Sequence, residues 1–324
     1  MADMSEGQVL RIATRGSALA LEQARRVKQG LCRPAEILVV KTSGDIHRDV
    51  PLGQQQGVGF FTKEIERALL EGRADLAVHS LKDLPVDLAP GLELAAVLER
   101  DETGDVLLVH PEVHRHDLPF PVAPGARVGA SSMRRQALLA ACRPDLQPVA
   151  IRGNVPTRLR KCRQHEVDCL VLSRAGLVRL GLDPTPLLAY DLNPEQWPGA
   201  AGQGVIAVEC RAGDDDARRA AAGLDHGPTR SCVATERALL RAYGAGCHAP
   251  FGCWAWSPGR GSFRLRVAAP GRDGRFRLAR YAGADLESMA GEAEAWLRAG
   301  CPEGEHTRAC EEEQWLTQPA RWWS

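Results

Sequence analysis

The sequence predicts an α/β protein: two α/β domains followed by a C-terminal α+β domain. Three observations carry that expectation. Short apolar runs near residues 10–13, 37–40 and 106–109 alternate with longer stretches of helical periodicity, the pattern of strands joined by helices in a parallel or mixed sheet. A chain of 324 residues exceeds a comfortable single core, so two or three domains are expected. After Gly227 the texture changes to a helix, several short strands and a closing helix, which marks a third domain.

Residues 10–13 read as a strand, 14–17 as a turn and 18–30 as an amphipathic helix, because Leu19, Ala20, Ala24 and Val27 recur near helical spacing. Residues 37–40 make the next strand. A Gly- and Gln-rich connection then leads through Gly59 to a helix over 61–70, which Gly72 ends. Residues 75–79 are a short strand whose exit carries Ser80, Lys82 and Asp83. The pattern restarts after Thr103, with strands at 106–109, 127–129, 149–151 and 169–172 and helices after Ser132, Asn154 and Ser173. Asn154 is a good cap, and Pro156 fits the turn that follows it. Residues 204–209 read as a strand returning to the first sheet. A helix containing 234–242, strands between 251 and 281 and a helix near 286–299 complete the third domain.

Composition narrows the function classes. Lys plus Arg, 41, balances Asp plus Glu, 41, so no global basic field recruits nucleic acid, and any anion site must be a local concentration of arginine. Residues 1–8 are polar and acidic without the features of a secretory signal, and no uncharged apolar run suffices to span a bilayer; a cytoplasmic protein with no membrane partner is expected. Ten cysteines without a Cys-x-x-Cys pair read as free thiols rather than a disulfide or zinc framework, and no metal is expected. Cys247 and Cys253 have a poor zinc spacing.

Against that neutral background, arginines gather where strands give way to helices. Ser131 and Ser132 open a helix, so their hydroxyls and the helix N-terminal amides suit an anion. Arg134 and Arg135 extend this site; adjacent helical residues point in different directions, which suits them to separate carboxylates. Arg152-Gly153-Asn154, with Arg158 one helical turn beyond, repeats the arrangement, and so does Arg15-Gly16-Ser17. Each taken alone is equally a capped helix with solvated arginines. Three such loops in two α/β domains are harder to dismiss, because strand-end loops of α/β folds carry ligand sites. Asp83 beside Lys82 is either a solvated pair or a proton-transfer group that nearby cations keep charged. His79 reads as a structural strand-end residue. Cys247 sits in a glycine-rich turn, 243–251, where a ligand can approach the backbone closely. A hydrolase assembled from Cys247, His248 and Asp83 has no nucleophile-elbow motif behind it.

Taken in order, Arg11-Ile-Ala-Thr-Arg-Gly-Ser17, Val78-His-Ser-Leu-Lys-Asp-Leu-Pro85, Gly129-Ala-Ser-Ser-Met-Arg-Arg-Gln136, Arg152-Gly-Asn-Val-Pro-Thr-Arg-Leu159, Gly202-Gln-Gly204 and the turn at Cys247 resemble the porphobilinogen deaminase, or hydroxymethylbilane synthase, family over about residues 9–256. The resemblance implies two periplasmic-binding-protein-like α/β domains around a cleft, the first discontinuous over 1–103 and 204–222 and the second over 104–203, with a third domain at 223–324. It implies a transferase that condenses four porphobilinogen units on a dipyrromethane cofactor held by Cys247 through a thioether, then releases hydroxymethylbilane with water. Asp83 would stabilise the cationic pyrrole and move protons. Lys82, Ser131, Ser132, Arg134, Arg135, Arg152 and Gln203 would hold the cofactor; Arg15, Ser17, Arg158 and Arg179 would bind the acetate and propionate groups of porphobilinogen and the growing oligopyrrole. A cytoplasmic monomer is implied.

The chain departs from the family pattern in places. Val58 stands in the 54–59 loop where the family often has lysine, Ala130 replaces a commonly hydroxylated residue, and Arg174 replaces a small or apolar one. The different-class alternative is an anion-binding protein with an unmodified thiol and no catalysis, since paired α/β lobes also suit ligand capture.

Overall fold

The computed structural model describes residues 9–42, 62–118, 120–244, 249–259, 261–304, 307–309 and 316–319. Cys247 and the loop at 54–59 therefore lie outside the described residues. The chain divides into two compact units, Met1–Asp101 with Val205–Arg230, and Glu102–Gly204 with Ser231–Ser324.

In the first unit, β1 (Leu10–Arg15), α1 (Ala18–Gly30), β2 (Ala35–Val40), α2 (Lys63–Leu70) and β3 (Leu76–Ser80) form parallel strand–helix units, with β1 central between β2 and β3. β4 (Leu92–Val97) and β10 (Ile206–Arg211) complete the sheet in the order β2-β1-β3-β10-β4, and β10 runs antiparallel to both of its neighbours. The returning strand thus joins the first sheet, and α6 (Asp215–Ala221) follows it. The alternation of side chains along a strand explains the packing. Leu10 and Ile12 of β1 face a core with Ala24 and Val27 of α1, while Ala13, the next residue after Ile12, faces Ile65, Ala68 and Leu69 of α2.

The second unit repeats the principle around β5 (Asp105–Val109), with β6 (Arg127–Gly129), α3 (Met133–Cys142), β7 (Gln147–Val149), α4 (Val155–Arg163), β8 (Cys169–Ser173), α5 (Arg174–Arg179) and β9 (Leu188–Leu192). Its sheet order is β15-β9-β5-β8-β6-β7, where β15 is Leu316–Pro319. Leu107 and Val109 face one core with α3, and Val106 and Leu108 face another with α4 and α5. Burial on both faces makes β5 a continuous apolar run rather than an alternating one. In the C-terminal part, α7 (Gly227–Ala242), β11 (Gly252–Gly259), β12 (Ser262–Pro270), β13 (Phe276–Gly283), α8 (Leu286–Arg298) and β14 (Thr307–Ala309) build a four-stranded antiparallel sheet in sequential order. Leu265 and Val267 of β12 pack with α7 and α8, while Ala268 turns to the core of α3.

Three expectations change. The turn at 14–17 is shorter, because β1 stays paired to Arg15 opposite Val40. The strand expected at 149–151 lies at Gln147–Val149, since the Ile151 N–H leaves the ladder and donates to Ser131 Oγ at 3.0 Å. β4, β9 and α6 were not foreseen; Leu92–Val97 and Leu188–Leu192 are short and have mixed polarity, so only pairing with β10 and β5 defines them. The eight described cysteines are free thiols, and no described helix is long and apolar enough to cross a membrane.

Candidate active site

In the first unit the parallel strands β1 and β3 end on the same side of the sheet, so Arg15, Ser17, Lys82 and Asp83 gather at one rim. Ser17 caps α1, its Oγ accepting the Ala20 N–H at 3.3 Å. Beyond β3 the chain makes one turn of 3₁₀ helix, Leu81–Asp83. Leu81 and Leu84 are buried on either side of half-buried Lys82 and exposed Asp83. The Leu81 N–H donates to Val205 O at 3.0 Å and the Leu84 N–H to Leu81 O at 3.1 Å. Two buried leucines with tied backbones hold the turn, so the intervening carboxylate is presented outward on a rigid support. Gln23 Nε2 bonds Ser80 Oγ at 2.8 Å and links α1 to the exit of β3. Behind the rim, buried His79 lies 3.3 Å from Glu209 of β10, a structural pairing inside the sheet.

In the second unit, β6 and β7 are also parallel, and their exits carry the Ser131-Ser132 and Arg152-Gly153-Asn154 loops side by side. Ser131 joins the two loops through its bond with Ile151 N–H. Ser132 occupies the N-cap position of α3 without using its side chain as a cap, which leaves that hydroxyl for another acceptor or donor. Asn154 caps α4 through Thr157 N–H at 3.1 Å, and Arg158 Nε donates to Gly153 O at 2.7 Å. Gly153 has φ +109, and a Cβ there would fall 2.7 Å from Thr157 Cγ2, so this turn requires glycine. Among the described residues half-buried Arg152 makes no hydrogen bond or ion pair.

Arg134 and Arg135 behave differently from the expectation of separate carboxylates. Both are buried, and both hold Asp105: Arg134 Nη2 at 2.8 Å, and Arg135 through Nε at 3.0 Å and Nη2 at 2.8 Å. Their side chains diverge at the helix but are long enough to meet again over the start of β5. Trp197 Nε1 and Gln203 Nε2 donate to the same carboxylate, each at 3.0 Å. Burial by itself would push the Asp105 carboxyl up; the two guanidinium charges and their hydrogen bonds outweigh it and hold the group well below the usual carboxylate range. Asp105 was not singled out in the sequence, where it lies one residue before the apolar run at 106–109. Its signal was an acidic residue opening a fully buried strand in a chain with paired arginines.

The remaining positions lie near this node. Arg179 is buried and donates through Nη2 to Gly204 O at 2.7 Å. Gly202 and Gly204 have φ +75 and +84, so the Gly202-Gln-Gly204 motif is a left-handed turn that points Gln203 at Asp105. Fully buried Glu236 of α7 receives the Gly202 N–H at 2.7 Å and the Ala255 N–H at 2.8 Å, another carboxylate that sequence reading missed. Arg174 lies 3.0 Å from Glu102 and 3.5 Å from Asp191, and Ala130 is buried.

Each unit defines the same class, an α/β fold whose strand ends carry arginine and serine side chains, and the first adds the exposed carboxylate of Asp83. The family model "Porphobilinogen deaminase, dipyromethane cofactor binding domain" matches residues 10–219. The porphobilinogen deaminase of Nitratidesulfovibrio vulgaris (strain DSM 19637 / Miyazaki F) is 46% identical over 78% of this chain and 80% of its own. That of Xylella fastidiosa (strain M23) is 44% identical over 91% of this chain and 97% of its own. An arginine-specific periplasmic binding protein of Salmonella typhimurium has a TM-score of 0.37 at 12% identity, over 67% of this chain and 92% of that one, a likeness too loose to add to the topology described above. The chain belongs to the porphobilinogen deaminase family.

Proposed function

We propose that the family's reaction is divided in this chain between the Asp83 turn, which handles charge and protons, and the arginine- and serine-bearing loops, which position carboxylates. The activity is that of a porphobilinogen deaminase: stepwise deaminative condensation of four porphobilinogen molecules and hydrolytic release of hydroxymethylbilane, in tetrapyrrole biosynthesis. The cofactor is dipyrromethane. Its carboxylate-bearing pyrroles fit a donor set in which the Ser132 hydroxyl makes no cap and Arg152 has no partner among the described residues. When bound, it supplies the free pyrrole carbon that receives the first unit, and each later unit joins the terminal ring of the growing chain.

Every other role belongs to the chain. Asp83 stabilises positive charge on the substrate pyrrole and accepts the proton lost after each condensation; its exposure on the clamped 3₁₀ turn is the observation that carries this reading. Ser131, Ser132, Arg152 and Lys82 hold the cofactor. Arg15, Ser17, Arg158 and Arg179 receive substrate carboxylates, and Arg134, Arg135 and Gln203 reach the ligand as a block organised on Asp105. Tight binding alone does not raise the rate of the chemical step, so the value of these contacts lies in orientation. Cys247 is the attachment residue. The domains run 1–103 with 204–222, 104–203 and 223–324, in a cytoplasmic monomer with neither nucleic-acid nor membrane partners; free thiols at the eight described cysteines support a reducing compartment.

Intact-protein mass spectrometry tests the assignment. The chain expressed with porphobilinogen available gains the mass of two linked pyrroles, and Cys247→Ser lacks it while retaining the wild-type circular dichroism spectrum. The same adduct on the folded Cys247→Ser protein rejects Cys247 as the anchor. An unmodified wild-type thiol favours the binding-only alternative.

A further inference from the structure

A second cluster of chemistry-bearing side chains lies in the second unit, on residues with no role in the reaction. His110 follows β5 and precedes a 3₁₀ turn, Pro111–Val113, that carries Glu112. His165 follows α4 in the left-handed conformation, with φ 58. One donor atom from each of His110, Glu112 and His165 lies within 4.8 Å of the other two. The two imidazoles stack, with ring centroids 4.1 Å apart and planes inclined by 11°. Backbone bonds fix both turns: His110 N–H donates to Asp168 O at 2.9 Å, and His165 N–H to Cys162 O at 3.0 Å.

His165 lies between two carboxylates. Its Nε2 lies 2.9 Å from Asp168 Oδ1 and its Nδ1 3.2 Å from Glu112 Oε2. A neutral imidazole carries one N–H and one lone pair, so it can donate to only one of these two oxygens. Asp168 is itself anchored, accepting Arg127 N–H at 2.7 Å and Arg127 Nη2 at 2.8 Å. Donation to that fixed carboxylate leaves the Nδ1 lone pair facing Glu112, two acceptors that a cation between them would reconcile. A carboxylate behind a histidine whose other nitrogen faces an open position is the usual arrangement around a ligating histidine. His110 brings a second imidazole nitrogen within 4.8 Å of the other donor atoms, and among the described residues its Nδ1 is engaged by a long contact, 3.4 Å, from the Glu112 N–H.

We propose that His110, Glu112 and His165 form a binding site for a divalent transition-metal ion of the zinc type, with Asp168 orienting His165. Two imidazoles and one carboxylate suit zinc better than magnesium or calcium, which prefer all-oxygen shells. A tetrahedral zinc about 2.1 Å from each ligand sets its donors about 3.4 Å apart; exposed Glu112 and half-buried His110 are free to close the remaining gap by side-chain rotation. The fourth position stays open to water. The ion would join the turn after β5 to the turn after α4.

The test uses the full chain, treated with EDTA and then titrated with zinc chloride, by calorimetry and by thermal melting. His110→Ala removes one ligand, and His165→Asn removes another with a residue that tolerates the left-handed turn. The wild type should bind one zinc ion that both variants bind at least about 10-fold more weakly, the scale on which even an outer partner of a zinc ligand counts. Its melting temperature should rise with zinc while those of the variants do not. Deaminase turnover without added metal should be the same in all three. Equal zinc affinity in wild type and both variants, or a wild type without saturable zinc binding, would overturn the proposal.

Discussion

Asp83 and Asp105 are the same residue type in opposite settings. Asp83 is exposed on a turn clamped by buried Leu81 and Leu84. Asp105 is fully buried and receives donors from Arg134, Arg135, Trp197 and Gln203. A carboxylate saturated with charge-assisted bonds cannot readily exchange a proton, and so it acts as a fixed counter-ion for the arginines. A carboxylate held outward on a rigid turn is free to act on a ligand. On the proposed function, the first unit supplies a reactive group and the second an organised electrostatic block.

The largest expected effect separates the two roles. Asp83→Asn, assayed as cofactor-loaded protein in single turnover, should lose about 10²–10⁴-fold in the condensation rate while its denaturation midpoint stays within about 0.5 kcal/mol of wild type. A wild-type rate across pH would remove Asp83 from the proton-transfer role.

Asp105→Ala should do the reverse at the level of folding. It strands two buried guanidinium groups, which costs about 3–5 kcal/mol in urea denaturation. The linkage has a definite sign: the folded carboxyl sits below its unfolded value, so its stabilisation is present above about pH 3.9 and is lost as pH falls through the folded value. Asp105→Asn should accordingly show a shallower decline in stability below about pH 4 than wild type. An unchanged acid slope would mean that the pairing with Arg134 and Arg135 contributes little.

Arg152 gives the smallest of the three effects and sharpens the contrast among arginines. Arg152→Leu should weaken cofactor or substrate binding by about 1.5–3 kcal/mol, roughly 10- to 150-fold, with stability within about 0.5 kcal/mol. Arg134→Leu should instead unfold at lower urea, because it also uncovers Asp105. Equal loss of stability in both variants would show that the Arg152 loop is as structural as the Asp105 node.

Local chemistry was legible where it needs no partner far along the chain. The α1 span, its Ser17 cap and the helices after Ser132, Asn154 and Ser173 follow from periodicity and capping residues, and the return of β10 to the first sheet from the family resemblance. The ordered motifs around Arg15, Asp83, Ser131 and Arg152 identified the family, because each lies within a few residues of sequence. What the sequence alone determined about this protein is therefore its α/β class, most of its elements and the inventory of groups it offers a polycarboxylate. Tertiary structure alone decided which charges are spent inside the protein. Arg134 meets Asp105 across 29 residues, Glu236 reaches Gly202 across 34, and His165 finds Glu112 from another turn. Such pairings depend on how packed sheets bring distant strand ends together and on which side chains lose water when they do. No local pattern of residues encodes either.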